Sequence, residues 1–306
     1  SSDFSIPTLN ALHHSKYKLV SIISPSDKPK GRGKKIQISN FRKRAIELSY
    51  ASLQIDNFNN EETIRQLTSF DADIFVVVAF QKLPDRIIDI PQYGCLNIHP
   101  SKLPKYRGSS PIQYALMNGE KDIGISIIKL SSKIDSGNIL YQSTLNVAQY
   151  ENFGDIYNKT SIIGSENLIK TINIIEKTSN YNGTPQDNTK ATYAKKLFSK
   201  DFILDWTKSS LEIQNKIRSL APYPGAVSFL NKKRFKIFDS EIISKTDFEI
   251  KNKLYPGSIC IYQNNLYVKT KDSFISISTL QKEGKRKMNI DTFLKGNKIN
   301  SLQFDN

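Results

Sequence analysis

The side chains best suited to chemistry lie at the end of one short strand-like segment. Of the three histidines, His13 and His14 are adjacent at a predicted helix end on the surface, and we expect neither to act in chemistry. His99 ends the segment CLNIH and Asn97 precedes it by two residues, so in a strand both side chains leave from the same face. An amide and an imidazole side by side can both donate to one oxygen, as acyl transfer to an amine requires. On spacing alone, a strand-end histidine hydrogen-bonded to backbone is the simpler interpretation.

The sequence lacks several other common functional patterns. It contains no metal-ligand spacing, no Walker loop and no GxGxxG, so we expect no metal. Cys95 and Cys260 are too few and too isolated for a disulfide framework, and we interpret both as small buried hydrophobic residues in a reducing cytoplasm. No apolar run reaches about 18 residues and no secretory signal is apparent. The sequence therefore predicts a cytoplasmic protein that does not cross a membrane.

Two segments around Asn97 and His99 resemble the signature of the folate-dependent formyltransferases. NIHPSKLPKYRGSSPIQ, residues 97–113, is similar to the family pattern N-x-H-x-S-L-L-P followed by a basic, aromatic, basic, glycine run. SSKIDSGNILY, residues 131–141, resembles the family's D-x-G loop. The resemblance implies that Asn97, His99 and Asp135 are catalytic and that the one-carbon donor is 10-formyltetrahydrofolate. It also implies a cofactor pocket formed by Phe80, Leu83, Pro84, Ser101, Leu103, Pro104 and Gly137.

Further segments resemble one branch of this family, the methionyl-tRNA formyltransferases. GSSPIQ, residues 108–113, is similar to that branch's G-A-A-P-I-Q. The basic loop DKPKGRGKK, residues 27–35, resembles the insertion that engages the acceptor arm of tRNA, which implies tRNA contacts from Arg32, Lys34 and Lys35. Similar segments in the second half are TYAKKLFSKDFILDW (192–206), IRSLAPYPGA (217–226), YPGSI (255–259) and LQKEGKRKMNIDTFLKG (280–296). The implied reaction formylates the amino group of methionyl-initiator tRNA for translation initiation.

Alternatives stay open at this point. The chain could formylate a sugar-nucleotide amine, or it could be a tRNA-binding protein that has lost catalysis. The basic loop 27–35 could be a solvated turn without a partner. Arg107 fits a loop-stabilising role or a surface ion pair as well as it fits contact with substrate.

The charge is strongly positive and unevenly distributed. The chain carries 44 Lys and Arg against 29 Asp and Glu, a net charge of +15. From residue 190 to the end there are 22 basic and 11 acidic residues, a net +11. A basic C-terminal third suggests a polyanionic partner, with nucleic acid favoured over a membrane. The alternative is coding bias, because the sequence is rich in Lys, Asn and Ile together.

The elements that must position Asn97 and His99 alternate between strand and helix. The strand-like segments are 18–24, 73–80, 95–99 and 124–130, and the helical segments are 41–51, 61–70, 109–118 and 156–178. Residues 73–80 form a continuous apolar run of the kind buried on both faces of a parallel sheet. This order predicts an open Rossmann-like α/β sheet with its site at the carboxyl ends of the strands.

The second half changes character after a polar stretch. We predict a catalytic domain at 1–180, a linker at 181–195 and a tRNA-binding domain at 196–306. After a helix at 213–220, short strand-like segments follow at 226–230, 234–238, 258–262, 265–269 and 274–279. Their spacing predicts a small antiparallel barrel or sandwich, and the family resemblance implies an OB-like barrel. We expect a monomer.

The sequence departs from the family pattern in three places. The family's first strand and its G-T-P turn precede the aspartate–phenylalanine step that is found here at Asp3 and Phe4. Segments 18–24 and 73–80 are too apolar for sheet edges, so we expect about ten further upstream residues that place a strand between them. The segment VVVAFQKLP, residues 76–84, is one residue short, and Lys102 replaces a leucine. These last two departures bear on the fit of the pterin pocket.

Overall fold

The structure, a computed structural model, describes residues 3–30, 35–243, 254–297, 299 and 303–305. The chain divides into two compact units. The first comprises Ser1–Pro111, Asp122–Asn146 and Tyr157–Ala194, and the second comprises Ile112–Lys121, Val147–Ile156 and Lys195–Asn306. Most of the predicted linker, residues 181–194, therefore makes its contacts within the first unit.

The predicted helices and the predicted strands are present, with boundaries that differ by a few residues. The helices are α1 (Ile6–His13), α2 (Asn40–Glu47), α3 (Glu61–Ser69), α4 (Asp85–Ile88), α5 (Pro111–Met117), α6 (Phe153–Thr178), α7 (Ser210–Ser219) and α8 (Ile290–Gly296). The strands are β1 (Ile22–Ser24), β2 (Lys28–Lys30), β3 (Lys35–Gln37), β4 (Ser52–Gln54), β5 (Phe75–Val77), β6 (Cys95–His99), β7 (Asp122–Lys129), β8 (Ile139–Asn146), β9 (Ala226–Leu230), β10 (Lys233–Ile243), β11 (Ile259–Tyr262), β12 (Asn265–Lys269), β13 (Phe274–Lys282) and β14 (Met288–Asn289). Sequence reasoning missed the strands β2, β3, β4, β8 and β14 and the helices α4 and α8.

Strand β6 is fixed by apolar packing on one face. Leu96 and Ile98 are buried in a cluster with Leu168 of α6. Helix α6 approaches closely because Gly164 faces Ile98: a β-carbon at Gly164 would lie only 2.6 Å from Ile98 Cγ2. Since successive strand residues point to opposite faces, Asn97 and His99 leave from the face of β6 away from this cluster.

The main sheet of the first unit is mixed, which corrects the expectation of a parallel sheet. Its strand order is β5-β6-β7-β8. Strands β5 and β6 are parallel, whereas β7 is antiparallel to both β6 and β8. The antiparallel β7–β8 pair needs no crossover helix, so a loop alone, residues 130–138, joins the two strands. This loop carries Asp135.

An apolar cavity separates β1 from β5. Strands β1 and β4 form a parallel pair of their own, and in the described part of the chain neither β1 nor β5 has a second strand neighbour. The cavity has a volume of about 640 Å³, and residues 17–23 and 70–78 line its two sides. The side chains of β5 are only partly buried, although the sequence predicts full burial. The strand expected between these segments remains a prediction, and the cavity lies at the position it would occupy.

The basic loop contains a short hairpin. Strands β2 and β3 pair antiparallel, with Lys28 opposite Gln37 and Lys30 opposite Lys35. The sequence prediction treated this region as a loop throughout. Arg32 and Lys34 lie outside the residues that the structure describes, and for Lys35 only the backbone position is described.

The second unit contains one antiparallel sheet. The strand order is β11-β12-β13-β10-β9, and β14 pairs with β13. Its core includes Trp206, whose ring stacks on Phe304 at 5.4 Å and whose Nε1 donates to Ser228 Oγ. The two edge regions each form an isolated bridge to the C-terminal segment, Phe229 with Asp305 and Ser258 with Gln303. The antiparallel sheet is as predicted, while closure into a barrel is not shown by strand pairing.

Candidate active site

Three loops of the first unit converge at the end of β6. They are residues 100–110, the 130–138 loop and residues 184–194. Arg107 forms a parallel bridge with Tyr193, and Ala194 N donates to the Arg107 carbonyl oxygen at 2.7 Å. The glycine after Arg107 permits this approach, because a β-carbon at Gly108 (φ +121°) would lie 2.4 Å from the Ala194 carbonyl oxygen.

His99 and Asp135, which are 36 positions apart in sequence, are neighbours in space. His99 Nδ1 lies 3.7 Å from Asp135 Oδ1, and the two side chains are only 5% and 13% exposed. The other carboxylate oxygen, Oδ2, accepts from Gly108 N at 2.8 Å. The structure thus brings together two of the three residues predicted to be catalytic, and their chemical roles remain predictions.

The hydrogen bonds specify where a proton can be held. His99 Nε2 lies 3.0 Å from the Tyr106 carbonyl oxygen, which can only accept, so Nε2 carries a hydrogen. In the neutral ring the unprotonated Nδ1 then faces the Asp135 carboxylate, and two acceptors oppose each other. One additional proton between Nδ1 and the carboxylate turns this opposition into an attractive pair. Two acceptor atoms, Nδ1 of His99 and Oδ1 of Asp135, therefore face the same space.

Asn97 lies on β6 between Val77 of β5 and Ile128 of β7, and its side chain is partly exposed. It shares a strand face with His99 because the two residues are two positions apart. Asn97 and His99 thus share one face of β6, as the sequence predicts; His99 is buried there and Asn97 is partly exposed.

The residues predicted to line the cofactor pocket divide into two groups. Phe80 and Leu83 pack in the cluster that contains Cys95, and so lie on the same side of β6 as Asn97 and His99. Pro84 precedes the first turn of α4. Contact of these residues with a folate remains a prediction.

The other pocket residues have internal partners that shape the loops. Ser101 Oγ donates to the Lys105 carbonyl oxygen at 2.7 Å, and the buried Leu103, followed by the partly buried Pro104, donates its N–H to Ser126 Oγ. A β-carbon at Gly137 would lie 1.7 Å from the Lys129 carbonyl oxygen. Ser101, Leu103 and Gly137 therefore have structural reasons for their identity besides the predicted cofactor contact. Lys102, which replaces the family's leucine, is exposed.

Three polar residues that support the site gave no signal in the sequence. Ser126 Oγ donates to the Ser101 carbonyl oxygen at 2.6 Å, and Gln142 Nε2 donates to the Leu103 carbonyl oxygen at 2.9 Å. Gln186, from the segment predicted to be a linker, donates to two carbonyl oxygens of the Asp135 loop. Only contacts between distant segments give these residues a role, so no local pattern could identify them.

In the described residues, neither the cysteines nor the acidic side chains outside the site form a second reactive or metal-binding site. Cys95 is fully buried, and burial raises the pKa of its thiol to about 12, while Cys260 is only partly buried. Within the described ranges, no three His, Cys, Asp or Glu side chains are placed to hold a metal ion. Nor does any helix in those ranges combine the length and apolar character needed to cross a membrane.

Comparison with known proteins gives full-length matches. Residues 2–172 match the family model described as formyl transferase, and residues 196–298 match that of the formyl transferase C-terminal domain. A methionyl-tRNA formyltransferase of Agathobacter rectalis is 36% identical, covering 96% of this chain and 94% of the relative. One of Thermodesulfovibrio yellowstonii is 35% identical, covering 97% and 94%. Among solved structures, the sugar N-formyltransferase WlaRD superposes with a TM-score of 0.63 at 22% identity, covering 92% of this chain and 95% of that one, which shows a shared fold.

Proposed function

Since this chain belongs to the formyltransferase family, we propose that it transfers the formyl group of 10-formyltetrahydrofolate to the amino group of methionyl-initiator tRNA. Relatives named for this activity match from end to end, and the match includes the basic C-terminal unit. A sugar-nucleotide acceptor would not need that unit to be basic. The reaction serves translation initiation.

The observation that carries the proposal is the pairing of His99 with Asp135. Each residue comes from a separate motif, and folding places Nδ1 and Oδ1 3.7 Å apart with little exposure to solvent. An amine that attacks a formyl carbon must lose a proton, and a buried imidazole–carboxylate pair with a place for one proton can receive it. The proximity of His99 to Asp135, together with the need of the attacking amine to lose a proton, supports formyl transfer to an amine.

The proposed mechanism uses only side chains of the chain for proton and charge handling. The acceptor amine attacks the formyl carbon, and the resulting tetrahedral intermediate carries a negatively charged oxygen. Asn97 and His99 donate to that oxygen, each donor contributing about 3 kcal/mol in a preorganised site. Because His99 Nε2 already donates to Tyr106, donation from Nε2 requires exchange of that bond. Asp135 orients the ring and helps to pass the proton from the amine to the leaving folate nitrogen.

Phe80, Leu83, Pro84, Ser101, Leu103, Pro104 and Gly137 are proposed to form the pocket for the folate co-substrate. The proximity of Phe80 and Leu83 to the reactive face of β6 supports this assignment. For the acceptor, we propose contacts from Arg32, Lys34 and Lys35, and a second unit that binds tRNA through an OB-like barrel. The bridges from residues 303–305 to both edge regions of the sheet support closure. We further propose a cytoplasmic monomer with domains at 1–180 and 196–306.

The direct test supplies the chain with 10-formyltetrahydrofolate and methionyl-initiator tRNA and measures formyl-methionine released by mild hydrolysis. Parallel reactions replace the tRNA with a sugar-nucleotide amine or with uncharged tRNA. Product from charged initiator tRNA alone supports the proposal. Product from the sugar nucleotide alone supports the first alternative, while tRNA binding without any product supports the inactive binding protein.

The role of the basic loop is tested with Arg32→Ala. We expect kcat/KM for the tRNA to fall by about tenfold or more, the scale of one lost charge-assisted contact, while folate affinity stays unchanged. Lys16→Ala, at an exposed ion pair with Glu176, is the matched control for loss of one positive charge. An equal fall in folate affinity would place the loop in the cofactor pocket instead.

A further inference from the structure

The backbone of Asp135 is held from outside its own loop. Asp135 has a φ of +51°, a left-handed conformation that is uncommon outside glycine. The Gln186 amide nitrogen Nε2 donates to the Asp135 carbonyl oxygen at 2.8 Å and to the Gly137 carbonyl oxygen at 2.7 Å. A single amide group therefore ties together the two carbonyls that flank the turn at Asp135.

The orientation of the Gln186 amide is fixed by a buried arginine. Arg107 is 5% exposed, and its Nε and Nη2 donate to Gln186 Oε1 at 3.0 and 2.7 Å. Nη2 also donates to Asn188 Oδ1 at 2.8 Å. A guanidinium can only donate, so Oε1 must face Arg107, and Nε2 must then face the two carbonyls. Reversing the amide would lose all four of its hydrogen bonds.

The same arginine is connected to the Asp135 carboxylate through the backbone. Gly108, the next residue, donates its N–H to Asp135 Oδ2, while Arg107 N donates to the Thr192 carbonyl oxygen at 2.8 Å. In the part of the chain that the structure describes, no carboxylate lies within ion-pair distance of Arg107. Nε and Nη2 of the guanidinium thus donate to side-chain amide oxygens, and the burial of Arg107 disfavours a contact with substrate.

We infer that Gln186 and Arg107 are positioning residues that hold the Asp135 carboxylate beside the His99 ring. Arg107 orients the Gln186 amide, the amide fixes the Asp135 and Gly137 carbonyls, and the turn then presents the carboxylate to His99 Nδ1 and Gly108 N. Neither residue acts on substrate directly. The inference rests on the proposed function for its kinetic consequence, but the structural consequence can be measured without turnover.

The first test uses the His99 ring as a reporter. With histidine labelled by ¹⁵N, the chain gives ring signals from three residues, and His99→Ala assigns the one of interest. We expect Gln186→Ala to change the pH titration of the His99 signal and to leave those of His13 and His14 unchanged. Gln92→Ala, at an exposed glutamine, is the matched control. An unchanged His99 titration in Gln186→Ala overturns the inference, whether or not formyl transfer has been found.

The second test is kinetic and separates positioning from general stability. We expect Gln186→Ala to lower kcat by tenfold or more, with KM for the folate changed less than twofold. Gln186→Glu retains a partner for Arg107, but its carboxylate cannot donate to the Asp135 and Gly137 carbonyl oxygens. The kcat of this variant should therefore fall at least as far as that of Gln186→Ala. Arg107→Lys, which keeps the charge but not the two-pronged contact, should also lower kcat.

A double-mutant cycle gives the decisive kinetic outcome. If Gln186 acts through Asp135, Gln186→Ala should cause little further loss of kcat in an Asp135→Asn background. Thermal unfolding of each variant is followed alongside, and kcat is compared only at temperatures where every variant is folded. Additive losses in the cycle, or a Gln186→Glu variant as active as the parent, would show that Gln186 does not position Asp135. Absence of turnover in the parent chain would count against the proposed function alone.

Discussion

Two regions of the first unit, the site around His99 and Asp135 and the cavity between β1 and β5, differ in the kind of contacts that form them. Around His99 and Asp135, loops from three parts of the chain are joined by hydrogen bonds between buried groups, including those of Ser126, Arg107 and Gln186. Between β1 and β5, apolar side chains instead line a cavity of about 640 Å³. The first arrangement fixes the position of a few reactive atoms. The second leaves apolar surface and two strand edges that further chain can cover.

From this difference we expect catalytic geometry and fold stability to depend largely on separate parts of the same unit. Substitutions at the site should affect turnover far more than unfolding, because the reactive side chains contribute little apolar burial. Changes at the cavity should affect unfolding first, since buried apolar area and paired strand edges supply much of a domain's stability. Four experiments test this expectation.

The largest effect is expected at the site. Asn97→Ala, His99→Ala and Asp135→Asn should each lower kcat for formyl transfer by about 100-fold or more, the scale of losing an oxyanion donor or a proton acceptor. Melting temperatures should change little. Steady-state kinetics and thermal unfolding of the same samples check both expectations, and near-normal turnover in any one variant removes that residue from the mechanism.

The cavity should respond to added strand. A segment of about seven β-branched residues ending in a glycine-containing turn, joined ahead of Asp3, should pair with β1 and β5. Two or three newly buried apolar side chains, each contributing about 1.5–3 kcal/mol, should raise the melting temperature by roughly 6 °C or more. A Gly/Ser segment of equal length is the control. Equal melting temperatures for the two extensions would show that the cavity does not accept a strand.

An alanine in the Asp135 loop should affect both properties. In Gly137→Ala the new β-carbon would lie 1.7 Å from the Lys129 carbonyl oxygen, so the loop must move. We expect a loss of about 1–3 kcal/mol in the free energy of unfolding and a tenfold or greater fall in kcat. Gly296→Ala is the control, because outside its own helix and chain neighbours no atom of the described residues lies within 4 Å of the added carbon. Unchanged kcat in Gly137→Ala would mean that the loop position is not critical.

The smallest effect is expected at Cys95, in the core between the two regions. Its thiol is fully buried with a pKa raised to about 12, so at pH 8 the folded chain should hold it as an unreactive thiol. Cys260 is partly buried and should react faster with iodoacetamide, and both should react in denaturant. Mass spectrometry of timed samples gives the two rates. Rapid labelling of Cys95 in the folded chain would indicate that the core around β6 opens to solvent.

Local pattern in the sequence was sufficient for much of the fold. The helical period of residues 61–70 and 156–178, and the apolar run at 95–99, predicted α3, α6 and β6 because side-chain periodicity depends only on backbone geometry. The pairing of the strands was harder to predict from the sequence. Strand direction depends on where a chain returns in space, so the sequence prediction of a parallel sheet was wrong for β7 and missed β8.

Reading the sequence identified the candidate reactive groups of this protein: Asn97 and His99 on one strand face, an aspartate in a D-x-G loop, and a basic second half. The distance between Asp135 and His99, and the contact by which Gln186, in a segment without pattern, holds the Asp135 turn, come from tertiary packing. The reason is physical. Periodicity and composition report on neighbours along the chain, whereas a buried hydrogen bond forms between whichever distant groups the packed core brings within about 3 Å.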